Sequence, residues 1–145
     1  MKITIETPKE GAEDEIIIRC ASLDENLMKL IYTLKADRDQ LAAYSDQGIV
    51  MLSLKDIYYF EAVDNKVFAY LDKQVYEVKK KLYELEEEYA FTDFLRISKS
   101  TIINLPKVAR LSPLYNGRLE ALLKNGEKTI ISRQYVAALK KKLGI

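Results

Sequence analysis

The chain has 145 residues, 48% of them hydrophobic, with 23 Lys/Arg against 22 Asp/Glu and no histidine. That length accommodates one domain with at most a modest extension. The missing histidine excludes Ser-His and Cys-His nucleophiles and the usual zinc ligand sets. Residues 1–90 hold 12 Lys/Arg and 19 Asp/Glu, a net of −7, whereas residues 91–145 hold 11 and 3, a net of +8. Such asymmetry points to a basic binding surface in the C-terminal part, for which nucleic acid, membrane and protein are all possible partners.

Further exclusions follow from single residue types. The glycines, at 11, 48, 117, 126 and 144, form no phosphate-cradling loop. No apolar run is long enough for a membrane span. The start, Met1–Glu6, alternates like a strand and has no signal-peptide apolar region. One cysteine, Cys20, permits no internal disulfide and fits a reducing cytoplasm; its position after Ile16–Arg19 predicts a buried strand thiol. The acidic run Glu84–Glu88 reads as the wet face of a helix rather than a metal site. No enzyme activity, cofactor, metal or small-molecule substrate is expected.

In chain order, residues 1–46 read as strand, strand, helix. The strands cover about Lys2–Glu6 and Glu15–Cys20. Asp24 is the expected N-cap of a helix carrying Leu27, Leu30, Ile31 and Leu34 on one face. From Gly48 the pattern becomes strand-rich. Ile49–Leu52 is an apolar run, and Ser53–Asp56 is a turn into the aromatic strand Ile57–Ala62. Asp64-Asn65 turns the chain back into Val67–Leu71, and Gln74–Tyr76 adds a short strand. A helix is predicted over about Glu77–Tyr89, with Val78, Leu82, Leu85 and Tyr89 on one face. Tyr58, Tyr59, Tyr70 and Tyr76 fit strand packing better than base stacking.

The segment Phe94–Asn104 interleaves apolar residues with Arg96, Ser98, Lys99, Ser100, Thr101 and Asn104. Those polar types hydrogen-bond phosphate oxygens and base edges. Strands follow at Val108–Leu114, Arg118–Leu123 and Lys128–Ile131. Asn116-Gly117 and Asn125-Gly126 separate them, and Asn-Gly is a strong hairpin signal. Ser132 is the expected cap of a last helix carrying Val136, Leu139 and Leu143, with Lys140, Lys141 and Lys142 complementing its dipole.

Three of these blocks, in order, resemble the LytTR DNA-binding domain of bacterial transcription regulators. They are Asp56–Ala62, Phe94–Asn104, and Asn125-Gly126 followed by Ile130–Arg133. The resemblance implies an α+β fold, mostly β: an elongated LytTR-type domain at 47–145, preceded by the strand-strand-helix extension at 1–46. It implies a sequence-specific regulator that reads repeated half-sites in double-stranded DNA through loops in the major groove. Residue by residue, it implies base contacts from Arg133, Asn104, Asn65 and Lys66, and phosphate contacts from Lys99, Ser100 and Gln134. Ser98 and Thr101 replace the family's common histidine and tyrosine, which leaves hydrogen bonding intact but shifts the expected DNA preference. No room exists for a receiver domain, so activation by phosphorylation is not expected. The resemblance also implies a cytoplasmic chain restrained by a small membrane protein. A homodimer formed through residues 1–46 is expected on symmetry grounds, although the same residues could pack within one chain. The alternative is a non-catalytic protein-interaction module or anti-activator on the same fold.

Overall fold

Residues 2–35 and 40–145 are described by the computed structural model. Three helices lie among them: α1 (Glu25–Lys35), α2 (Leu82–Glu88) and α3 (Arg133–Leu143). The strands are β1 (Gln40–Ser45), β2 (Gly48–Ser53), β3 (Tyr59–Val63), β4 (Lys66–Tyr70), β5 (Val75–Val78), β6 (Phe94–Arg96), β7 (Thr101–Asn104), β8 (Val108–Pro113), β9 (Leu119–Leu123) and β10 (Lys128–Ile131). They form two antiparallel sheets, one ordered β2-β1-β5-β4-β3-β7-β6 and the other β10-β9-β8.

Strand alternation explains how the layers stack. Successive strand side chains point to opposite faces. Along β7, Ile102 enters one core and Ile103 the other, each 1% exposed. Opposite them, Phe60 joins the first core and Tyr59 packs on the second. The large sheet is thus covered on both faces at its centre. On one face α2 lays down Leu82 and Leu85, with Tyr89 just beyond its end, against Phe60, Phe94 and Ile102. On the other face the small sheet and α3 contribute Ala121, Leu123, Ile131 and Leu139. Burying a side chain such as Phe60 contributes about 1.5–3 kcal/mol. The Tyr59 ring stacks on Tyr70 at 4.4 Å, and its hydroxyl donates to Glu127 Oε2 at 3.0 Å. Burial, then the Glu127 carboxylate, push the Tyr59 pKa well above the ordinary range, so the hydroxyl stays a donor.

Several expectations need correction. Residues 2–24 form no strand. Instead 2–8 and 14–19 run beside one another without a hydrogen-bonded ladder, lining a common groove. A two-stranded unit with no covered face is marginal, and here Ile3 and Ile5 remain exposed. Cys20 is exposed rather than buried, because the strand expected to bury it does not form. The predicted helix over 77–89 begins only at Leu82. Val75–Val78 is captured as β5 between β1 and β4, and this pairing overrides the helical spacing. Glu84 then starts the helix by accepting the Lys81 N–H at 3.1 Å.

The first helix does begin as expected, with Leu27 N–H donating to Asp24 Oδ1 at 2.8 Å. Within the extension expected over 1–46, β1 joins the large sheet by pairing with β2 and β5, and residues 36–39 lie outside the described residues.

Candidate nucleic-acid interface

Three loops reach one end of the two-sheet core, and backbone hydrogen bonds set them side by side. The first is the β3–β4 turn, where Asp64 and Asn65 both adopt positive φ, 51° and 63°. This is a tight reversal that asparagine and aspartate tolerate better than other residues with a side chain. The second is the loop 98–100 between β6 and β7. It is joined to β3 by Ala62 N–H donating to Ser100 O at 2.8 Å. The third is the start of α3, joined to the second by Ser132 N–H donating to Ile97 O at 2.8 Å.

Ser98, Lys99, Ser100, Ser132, Arg133 and Gln134 line one open cleft between the second and third loops. Lys99, Ser100, Arg133 and Gln134 are exposed there. Among the described residues, neither Lys99 nor Arg133 has a carboxylate partner. Their cationic heads are thus available to an anionic ligand. Ser132 occupies the N-cap position, but its side chain makes no capping bond. The positive end of the α3 dipole also opens toward this cleft.

The second loop is held from within by Arg96. Its Nε–H donates to Ser98 O at 2.6 Å, and its Nη2 donates to Lys99 O. Nη1 meets Glu86 Oε2 of α2 at 3.1 Å. One half-buried guanidinium therefore braces two successive carbonyls and ties the loop to α2. Sequence reasoning placed Arg96 among the grasping residues and missed this role. The available signal was Glu86 in the acidic run. That run does not collect into a cluster: Glu84 accepts the Lys81 N–H, Glu86 binds Arg96, and Glu88 binds Lys80.

The structure separates the expected base contacts. Asn65 is exposed at the tip of its turn, and Lys66 beside it forms an ion pair with Glu77 at 3.7 Å. Arg133 lies in the cleft. Asn104 is the correction. It is only 5% exposed and sits at the far end of β7, about 10 Å along the strand from the loop. Its Nδ2 donates to Ile57 O at 2.8 Å and to Leu54 O at 3.4 Å. Its amide nitrogen is directed at the protein's own carbonyls, so the buried Asn104 braces the turn before β3 rather than standing on the exposed cleft.

The arrangement can hold a phosphate backbone with Lys99 and Ser100 while presenting the Arg133 fork to a base edge. Residues 47–144 match the family model described as the LytTr DNA-binding domain. The chain is 30% identical to an uncharacterized HTH-type transcriptional regulator of Staphylococcus aureus, over 100% of this chain and 99% of that protein. It is 32% identical over 100 residues to the sensory transduction protein LytT of Enterococcus faecalis, covering 69% of this chain and 41% of that protein. The solved LytTr DNA-binding domain of a Bacillus cereus response regulator superposes with a TM-score of 0.69 at 22% identity, covering 74% of this chain and 98% of that one. Although the first relative is described as of the HTH type, strands separate all three helices in the described residues of this chain.

Proposed function

This chain belongs to the LytTR DNA-binding domain family and is a DNA-binding transcriptional regulator, and from that premise we propose how it grips its site. It reads repeated half-sites in double-stranded DNA, with the 64–66, 98–100 and 132–134 loops entering the major groove. Arg133 and Asn65 meet base edges, Lys66 supports Asn65, and Lys99, Ser100 and Gln134 hold phosphates. The observation that carries this reading is the cleft in which Lys99 and Arg133 stand exposed without carboxylate partners among the described residues.

Titrating duplexes with one or two copies of a selected half-site, at several salt concentrations, tests it. Affinity is expected to fall steeply with salt, since each neutralised phosphate contributes a slope of about −0.9. Binding that ignores salt, or that is equal for every sequence, would sink the reading.

The regulator acts as a homodimer in the cytoplasm. The extension supports this, because Ile3, Ile5, Ile16 and Ile17 stay exposed on it and a second copy would cover them. Sedimentation of the full chain is expected to give twice the monomer mass. Ile5→Asp with Ile17→Asp is expected to return it to monomer; a monomeric wild type rejects the dimer. A small membrane protein as restraining partner rests on family resemblance alone. Among the described residues, no helix is long and apolar enough to cross a membrane.

A further inference from the structure

The turn between β8 and β9 stands beside the cleft and belongs to none of the three loops. Asn116 and Gly117 take positive φ, 61° and 73°, which reverses the chain tightly. A Cβ built on Gly117 would lie 3.1 Å from both Cγ and Cδ of Arg133. The aliphatic stem of Arg133 therefore rests on bare backbone, and only glycine leaves that seat open. Two further side chains of the turn face water. Tyr115 is 87% exposed, an unusual position for a large ring. Arg118 is exposed and donates Nε–H to Tyr115 O at 3.3 Å, which fixes the base of its guanidinium. Its terminal nitrogens have no protein partner among the described residues. Lys128, Lys80 and Arg96, by contrast, each have a carboxylate within 4 Å.

We propose that the turn Tyr115–Arg118 is a fourth DNA-facing element, which seats Arg133 on Gly117 and adds Arg118 as a phosphate contact beside the base pair that Arg133 reads. The proposal rests on the reading of Arg133 given above. Seating matters because a free arginine stem samples many rotamers, whereas bidentate recognition needs the fork held in one plane. Gly117 acts through Arg133 and is a positioning residue. Arg118 acts on the duplex directly, where a guanidinium suits phosphate oxygens in any sequence. Tyr115 supplies the carbonyl that orients it.

The test uses the full chain, a labelled duplex selected by the wild type from random DNA, and a scrambled duplex of the same composition. Arg118→Gln is expected to weaken both duplexes alike, roughly eightfold at 0.1 M salt, and to reduce the salt slope by about 1. Lys80→Gln, whose lysine pairs with Glu88 on α2, is expected to leave both values unchanged. Gly117→Ala is expected to narrow the ratio between selected and scrambled duplexes without changing the salt slope. Because alanine at that φ is strained, melting temperatures are measured alongside, and Gly117→Ala is also made within Arg133→Ala. If glycine works by seating Arg133, it narrows the ratio no further there. Arg118→Gln with wild-type affinity and slope, or a Gly117 effect that persists without Arg133, overturns the proposal. Wild type that does not discriminate between the duplexes removes the underlying reading of Arg133 as well, and that outcome is distinct from the first two.

Discussion

Asn104→Ala lowers the stability of the chain by about 1–3 kcal/mol and leaves the base preference of the folded protein unchanged. The amide of Asn104 supplies donors to Ile57 O and Leu54 O, from a side chain only 5% exposed. Removing it takes that donor from the Ile57 carbonyl, whereas Leu54 O keeps the Ile57 N–H at 3.2 Å, and the desolvation cost of one such group sets that magnitude. The Leu54 bond is long at 3.4 Å, so most of the loss comes from Ile57. The effect is local to the turn that delivers the chain into β3. The loop 98–100 begins at the other end of β7 and keeps its own brace through Arg96. Urea unfolding measures the stability, and selection from random DNA measures the preference. Unchanged stability together with a lost preference at one base pair would return Asn104 to the DNA surface.

Asparagine 104 also marks where the residues stop being legible. It closes a block rich in DNA-contacting types, and within that block nothing distinguishes a contact from a brace. Its partners lie 47 and 50 positions away, so only the folded chain brings them to it. Local chemistry elsewhere was enough. The Asp64-Asn65 and Asn116-Gly117 reversals and the Asp24 cap follow from turn and cap residues that act within a few positions, and the last helix follows from its apolar spacing, since Ser132 makes no capping bond. Strand β1 was not legible. Gln40–Ser45 carries two alanines and one leucine, a weak strand pattern, and it forms because β2 and β5 flank it. Pairing with β1 and β4 also extends the short strand expected at 74–76 to Val78, taking Glu77 and Val78 from the expected helix. In the opposite direction, Lys2–Glu6 alternates well and forms no ladder, because alternation alone provides no sheet to join. At the site, the basic half of the chain announced the interface by charge. Which cations are left without a carboxylate was not legible from charge alone: Lys66 has Glu77 and Arg96 has Glu86, while Lys99 and Arg133 stand free of carboxylates among the described residues.

That distinction leads to a sharper expectation for Arg133 and Lys99. Both are exposed, so Arg133→Ala and Lys99→Ala are expected to leave the melting temperature nearly unchanged. Their effects on DNA binding differ in kind. Arg133→Ala loses the bidentate pair with a guanine, worth about 1–3 kcal/mol of discrimination, or roughly five- to 150-fold between the right and wrong base pair. Lys99→Ala weakens every duplex by a similar factor and reduces the salt slope by about 1, with the ratio between sequences preserved. Arg133→Lys separates charge from geometry. An ammonium keeps the positive charge but has no planar fork, so the salt slope is retained while discrimination falls. Binding to duplexes that vary one base pair at a time, each at three salt concentrations, resolves the two quantities. If Arg133→Lys preserves the full discrimination, Arg133 contributes charge alone and the base reading belongs to another residue of the cleft.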